Sequence, residues 1–184
     1  MSENKNSQTL FQASIYYGVL LAVIGIMLGI VNLFVPEEIT RKSPTLVGLV
    51  TFIISILITV YVLFTAIKSR KEAFGGFISF GQGVNMSFWI GTIYATINTI
   101  WSPIYMYVIN PNILKDAMNQ ARLQMENAEP KLTDEQIEIQ MKMIDFFMSP
   151  YFNLPIGFIF IIIFTVLTGL IVAGILQKEK EHPF

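Results

Sequence analysis

The chain has 184 residues, with 12 basic and 13 acidic side chains, a net charge of −1 and no cysteine. So small a net charge gives no field to gather nucleic acid, and without cysteine there is no disulfide, thiol chemistry or cysteine-held metal. Four blocks hold no Asp, Glu, Lys or Arg: Ser14–Val35, Pro44–Ile67, Phe80–Ile109 and Leu154–Leu176. A soluble fold scatters charge along every surface helix, whereas each of these blocks can cross the roughly 30 Å of bilayer hydrocarbon.

The first block is too long for the apolar core of a signal peptide. It is followed by Pro36, Glu37 and Glu38 rather than by a small-residue cleavage site. It reads as a retained span. Gly18, Ala22, Gly25 and Gly29 lie along one of its faces. In the second block Ser43-Pro44 suits an N-cap followed by proline at the first helical position, and Thr51, Ser55 and Thr59 repeat at a spacing of four. The basic cluster Lys68, Arg70 and Lys71 follows.

Next comes Phe74-Gly75-Gly76-Phe77-Ile78-Ser79-Phe80-Gly81-Gln82. Gly75-Gly76 predicts a sharp turn, and Ser79 with Gln82 fits a capping box opening the third block. The string lacks the lysine and spacing of a phosphate loop. The third block carries small residues at Ser87, Gly91, Ala95 and Thr99, and an amide at Asn98 near its middle. Asn32 and Asn85 lie nearer span ends, and each amide needs a partner in hydrocarbon. Pro103 predicts a kink, and Asn110-Pro111 predicts the end of this helix and the start of another. Trp101, Tyr105 and Tyr107, like Tyr16 and Tyr17, suit the membrane interface.

Residues 110–153 form the one sizeable polar region. Ile113, Leu114, Ala117, Met118, Ala121, Met125 and Ala128 recur at helical spacing, as do Ile137, Met141, Ile144 and Met148. Thr133 and Gln136 fit a second capping box, with Leu132 and Ile137 at the staple positions. These patterns predict amphipathic helices over about 111–128 and 133–148, turned on Glu129-Pro130-Lys131 into a hairpin that caps the outer end of the bundle. The hairpin is acidic, which argues against a resting place on the membrane surface. Its methionines suit either a core or an adaptable contact surface. The fourth block carries Thr165, Gly169 and Ala173. Lipid does not drive helices together as water does, so small residues every fourth position point to close packing and interhelical hydrogen bonds, within one bundle or at a homodimer seam.

Six basic residues fall on each side of such a topology. Lys5, Lys68, Arg70, Lys71, Lys178 and Lys180 share the side of the termini, and Arg41, Lys42, Lys115, Arg122, Lys131 and Lys142 share the other. The cluster hugging the end of the second span places both termini in the cytoplasm.

The basic cluster with the following Gly-Gly-Phe-Ile-Ser-Phe-Gly-Gln string resembles the bacterial membrane family catalogued as domain of unknown function 4199. Tyr107-Val108-Ile109-Asn110-Pro111, the helical hairpin and Met148-Ser149-Pro150 are similar to it as well. The likeness covers roughly 12–176. It implies a four-span bacterial membrane protein, found mostly in the Bacteroidota, and supplies no activity and no functional residues.

The expected fold is therefore all-α: a single membrane domain over residues 1–184, with spans at about 14–35, 44–67, 80–109 and 154–176 and an extracytoplasmic amphipathic hairpin over about 110–149. The expected function is a non-enzymatic structural or protein-interaction role in the bacterial inner membrane. The partners are the lipid bilayer and a protein partner or second copy, with no nucleic acid. The rival is a small carrier or channel for an uncharged or weakly polar solute, lined by Thr92, Thr96 and Asn98. No catalytic, cofactor-binding or metal-binding residues are assigned: His182 is a lone tail histidine, Asp145 stands alone near the fourth span, and no Asp, Glu, Lys or Arg lies within a block. Asp at both Ile137 and Ile144 is expected to disorder residues 111–148 while the spans stay inserted. Hydrogen exchange of variant and wild type in nanodiscs checks this, and fast exchange there in the wild type would show that the hairpin is not ordered.

Overall fold

The computed structural model describes residues 2–36, 38–39, 43–127 and 132–178. Arg41, Lys42, the Glu129-Pro130-Lys131 turn, Lys180 and His182 lie outside them. Among the described residues the structure is helical, with one isolated bridge between Ile78 and Lys178. The helices are α1 (Ser2–Asn32), α2 (Pro44–Ala73), α3 (Phe80–Ile104), α4 (Ile113–Glu126), α5 (Asp134–Met148) and α6 (Pro150–Leu176), with a π-helical turn, Tyr105–Ile109, after α3.

Three of these are long and apolar enough to cross a membrane: α1 from Leu10, α2 from Thr45, and α6. The third block, expected as a span, is not among them. α3 is free of charge, but Gln82, Asn85, Asn98 and several hydroxyl residues dilute its apolar character. The other boundaries also move. α1 starts twelve residues before the expected span and stops at Asn32, where turn bonds from Leu33 and Phe34 to Ile30 and Val31 end it. α6 begins at Pro150, which as first residue has no N–H to lose, and not at Leu154. Ser43 stands at the N-cap of α2, but its side chain caps nothing; its backbone carbonyl accepts from Leu46 and Val47. α4 opens at Ile113, with Pro111 and Asn112 in the turn before it. After Pro103 the chain changes hydrogen-bond register. Asn110 N–H donates to the Tyr105 carbonyl at 2.8 Å, five residues back. Proline withholds one bond and crowds the carbonyl four residues earlier, and a π-turn absorbs such a disturbance.

The chain divides into two compact units, residues 1–98 with 160–184, and residues 99–159. In the first unit cross-helix contacts fix four directions. Phe11 meets Trp89 with ring centroids 5.0 Å apart, while Gly18 lies against Ile90 and Ile93 and Gly25 against Tyr94, so α1 and α3 run the same way. Thr51 at the start of α2 donates to Asn32 Oδ1 at the end of α1, 3.2 Å away, so those two run oppositely. Gly83 faces Ala173, Ser87 faces Gly169 and Gly91 faces Thr165, so α3 and α6 are antiparallel.

That last contact is a tight one. A Cβ added at Gly83 would stand 2.7 Å from that of Ala173, and one at Gly91 would stand 2.8 Å from that of Thr165. One at Gly169 would run into Ser87. The seam joins by close approach rather than by hydrogen bonds across it. Ser87 Oγ donates back to the Gly83 carbonyl at 3.0 Å, and Thr165 Oγ1 to that of Ile161 at 2.7 Å. Each hydroxyl is satisfied on its own helix, so burial leaves no polar atom stranded. Thr51 alone of its repeat bonds across helices; Ser55 and Thr59 also bond their own helix. Leu63, Ile67, Met86 and Ile90 fill the space beside the seam with no exposure at all.

In the second unit α4 and α5 pack on each other. The described members of both predicted apolar stripes are half-buried. Thr133 opens α5 with a complete capping box: its N–H donates to Gln136 Oε1 at 2.9 Å, and Gln136 N–H donates back to its Oγ1 at 3.3 Å.

Gly91→Leu and Gly169→Leu are each expected to destabilise the first unit by about 1–3 kcal/mol through overpacking. Nothing stands within 4 Å of the Cβ position at Gly29, so Gly29→Leu is expected to leave stability unchanged. Thermal unfolding in detergent separates the three.

Candidate functional site

Two places concentrate chemistry. The first is a basic and aromatic collar where α2 ends, α3 begins and α6 ends. α2 stops in a Schellman turn: Gly76 N–H donates to the Lys71 carbonyl at 2.9 Å and Gly75 N–H to that of Glu72 at 3.1 Å. Gly75 (φ 73°) and Gly76 (φ 87°) both take the left-handed conformation, which side chains resist. This reversal aims Ile78 at the strand-like residue after α6, and Ile78 and Lys178 exchange two backbone bonds of 3.0 and 2.9 Å. The Ser79–Gln82 capping box, at 3.2 and 3.3 Å, then starts α3. Lys71 Nζ reaches across to the carbonyl of Leu176, the last residue of α6, at 2.9 Å. A cation there meets the negative end of the helix dipole.

Two further cations lie on rings. The Arg70 guanidinium sits 3.7 Å over the Phe74 ring and Lys178 Nζ 5.7 Å over that of Phe77. Lys68 is exposed beside them. Amines and a guanidinium so placed attract phosphate and fix helix ends. Among the described residues no three His, Cys, Asp or Glu side chains gather into a group that could hold a metal.

The second place is on α5. Besides its inner stripe it carries an outward apolar face: Ile139, Met143, Phe146 and Phe147, each about half exposed or more. With Lys142 they line an open hollow of about 350 Å³. The rings of Phe146 and Phe147 lie 4.9 and 5.0 Å from that of Phe152 in the first turn of α6. Lys142 pairs with Glu138 at 2.7 Å and holds that carboxyl below the usual carboxylate range.

Thr92 and Thr96, expected to line a solute path, donate to the Phe88 and Thr92 carbonyls of their own helix, and Thr96 is exposed. Asn98 is half-buried and Asp145 exposed. Asn32 has its expected partner in Thr51. The sequence reading missed the Lys71 cap and the Ile78–Lys178 bridge, which join residues about a hundred positions apart with no local signal. It also missed the outer face of α5, for which the adjacent phenylalanines, off the 137–141–144–148 stripe, were the available sign.

Residues 16–178 match the family described as proteins of unknown function, DUF4199. The chain belongs to that family. No curated protein and no solved structure matches it. Both the collar and the outer face of α5 fall within the part that marks membership of DUF4199.

Lys71→Met is expected to cost about 1 kcal/mol, the worth of one charge-assisted bond in a partly exposed place. Amides at 173–178 should exchange faster in that variant, whereas Met at the exposed Lys68 should leave them unchanged.

Proposed function

We propose that this DUF4199 protein is a four-span, non-enzymatic structural or protein-interaction component of the bacterial inner membrane, with both termini cytoplasmic and α4 and α5 forming an outward hairpin. The observation that carries this reading is the filled interior of the first unit. Leu63, Ile67, Met86 and Ile90 are fully buried there beside the small-residue seam, and the neighbouring hydroxyls are spent on their own helices. A carrier needs polar groups aimed into a path, and Thr92 and Thr96 are bonded to carbonyls of α3 instead.

α3 counts as the fourth span on two grounds. It has no charged residue, and it runs with α1 and against α6, both long and apolar enough to cross. Its amides and hydroxyls are tolerable at depth when flanking helices shield them. Cytoplasmic termini are supported by the collar: Lys68, Arg70, Lys71 and Lys178 gather at one end of the first unit, and basic residues next to spans favour the cytoplasmic side.

The chain has no native cysteine, which makes a labelling test clean. In intact cells Asn127→Cys is expected to react with an impermeant thiol reagent and Ser69→Cys is not; the reverse pattern would invert the topology. Liposomes holding the purified protein are expected to pass glycerol and urea no faster than empty ones. Accelerated flux would replace the structural role with a carrier.

A further inference from the structure

We infer that α5 is a surface-lying helix whose outer face, Ile139, Met143, Phe146 and Phe147, is immersed in the headgroup–acyl boundary of the same bilayer that α6 crosses. This rests on α6 being a span. Three observations lead to lipid as the occupant.

The first is continuity. Only Ser149 separates α5 from α6, and the Phe146 and Phe147 rings pack on Phe152, inside α6. At 27 residues α6 is about 40 Å long against roughly 30 Å of hydrocarbon, so its first turns belong to the interface. The rings packed on those turns share that depth, as does Tyr151, which is 94% exposed.

The second is the arrangement of charge. At 100° per residue, Asp134, Glu135, Glu138, Lys142 and Asp145 occupy one sector of α5, about 100° wide. The inner stripe toward α4 and the outer apolar face share the remainder with Gln136 and Gln140. A helix wedged between a protein neighbour and lipid needs this three-way division; one with water on its outer side does not. Lys142 lines the apolar hollow while its amine pairs with Glu138, an arrangement that suits a snorkelling lysine at an interface.

The third is tethering. Surface helices that bind from solution use basic residues to reach anionic lipid, and the acidity of this segment argues against that route. α5 has no need of it, because the span that follows holds it at the membrane and makes insertion an intramolecular event. The recognition is therefore of the apolar boundary itself and is indifferent to lipid charge.

The test uses nitroxide labels on the full chain in nanodiscs of uncharged phosphatidylcholine. Collisions with oxygen, which concentrates in lipid, are compared with collisions with a water-soluble nickel chelate. At Met143→Cys and Phe147→Cys oxygen collisions are expected to dominate, and at Asp145→Cys nickel collisions. At Ile163→Cys, in the middle of α6, oxygen is expected to dominate. If Ile163→Cys reports lipid while both Met143→Cys and Phe147→Cys report water, the face is free and the inference fails. If those two positions are shielded from both reagents, protein covers the face, and spin–spin broadening between labelled copies identifies a second copy as the cover; that also overturns lipid. Nickel access at Ile163→Cys would overturn the spanning role of α6 itself.

Discussion

Close approach of backbones between α3 and α6 is the constraint on which the first unit depends. In water, burial of apolar surface would hold two such helices together. In hydrocarbon that term vanishes, and contact area and satisfied polar groups must serve instead. Gly83, Ser87 and Gly91 against Ala173, Gly169 and Thr165 supply the area, because these facing residues are all small. The satisfied groups follow from the same geometry. A serine or threonine in a tight seam has no room for a partner beyond it, so Ser87 and Thr165 turn to carbonyls four residues back. The small-residue ladder thus brings the helices together, and intrahelical bonding makes its hydroxyls tolerable there.

The collar fixes the ends of the same helices. Lys71 meets the last carbonyl of α6, the bridge at Ile78 pairs α3's lead-in with α6's exit, and the Schellman turn joins α2 to both. The lysine and the Schellman turn satisfy backbone groups that helix termini leave unpaired, and the bridge ties the two flanking segments together. The chain between Ala73 and Phe80 therefore acts as a bracket. The glycines at 75 and 76 are required by its left-handed turn, and Arg70 and Lys178 hold Phe74 and Phe77 under their charges.

Much of this was legible in the sequence, and what was legible was local or periodic. Both capping boxes were readable because donor and acceptor lie three residues apart, and most of the seam was readable because its members repeat every fourth position, although Gly83 was not in the expected ladder. The first-span ladder was only partly right. Gly18 and Gly25 do meet α3, but Gly29 meets nothing, since spacing names a face and cannot say how far along it a neighbour extends. The π-turn after Pro103 was expected only as a kink, because proline reports a lost bond and not how the chain recovers it. The bonds of the collar from α2 and Ile78 to Leu176 and Lys178 had no local signature. Hydropathy and charge also part company at α3. Absence of charge raises the expectation of a span there, while its amides and hydroxyls keep it from the apolar set that holds α1, α2 and α6.

Exposure must be read against the right solvent. On a soluble protein, so many exposed large apolar residues on α2 and α6, Leu57, Ile171 and Ile175 among them, would suggest a binding surface. On helices built to cross a membrane they are ordinary, because lipid is the solvent there. Exposed apolar residues on α5 carry more weight, because α5 also bears five charged side chains and is therefore not a helix that hydrocarbon could surround. A helix surrounded by water would keep its apolar residues toward α4, as the stripe of Ile137, Met141, Ile144 and Met148 does. Ile139, Met143, Phe146 and Phe147 break that rule in consecutive turns and end against the first aromatic residues of α6. A segment that satisfies neither solvent alone is suited to the boundary between them, and its position directly before a spanning helix puts that boundary within reach.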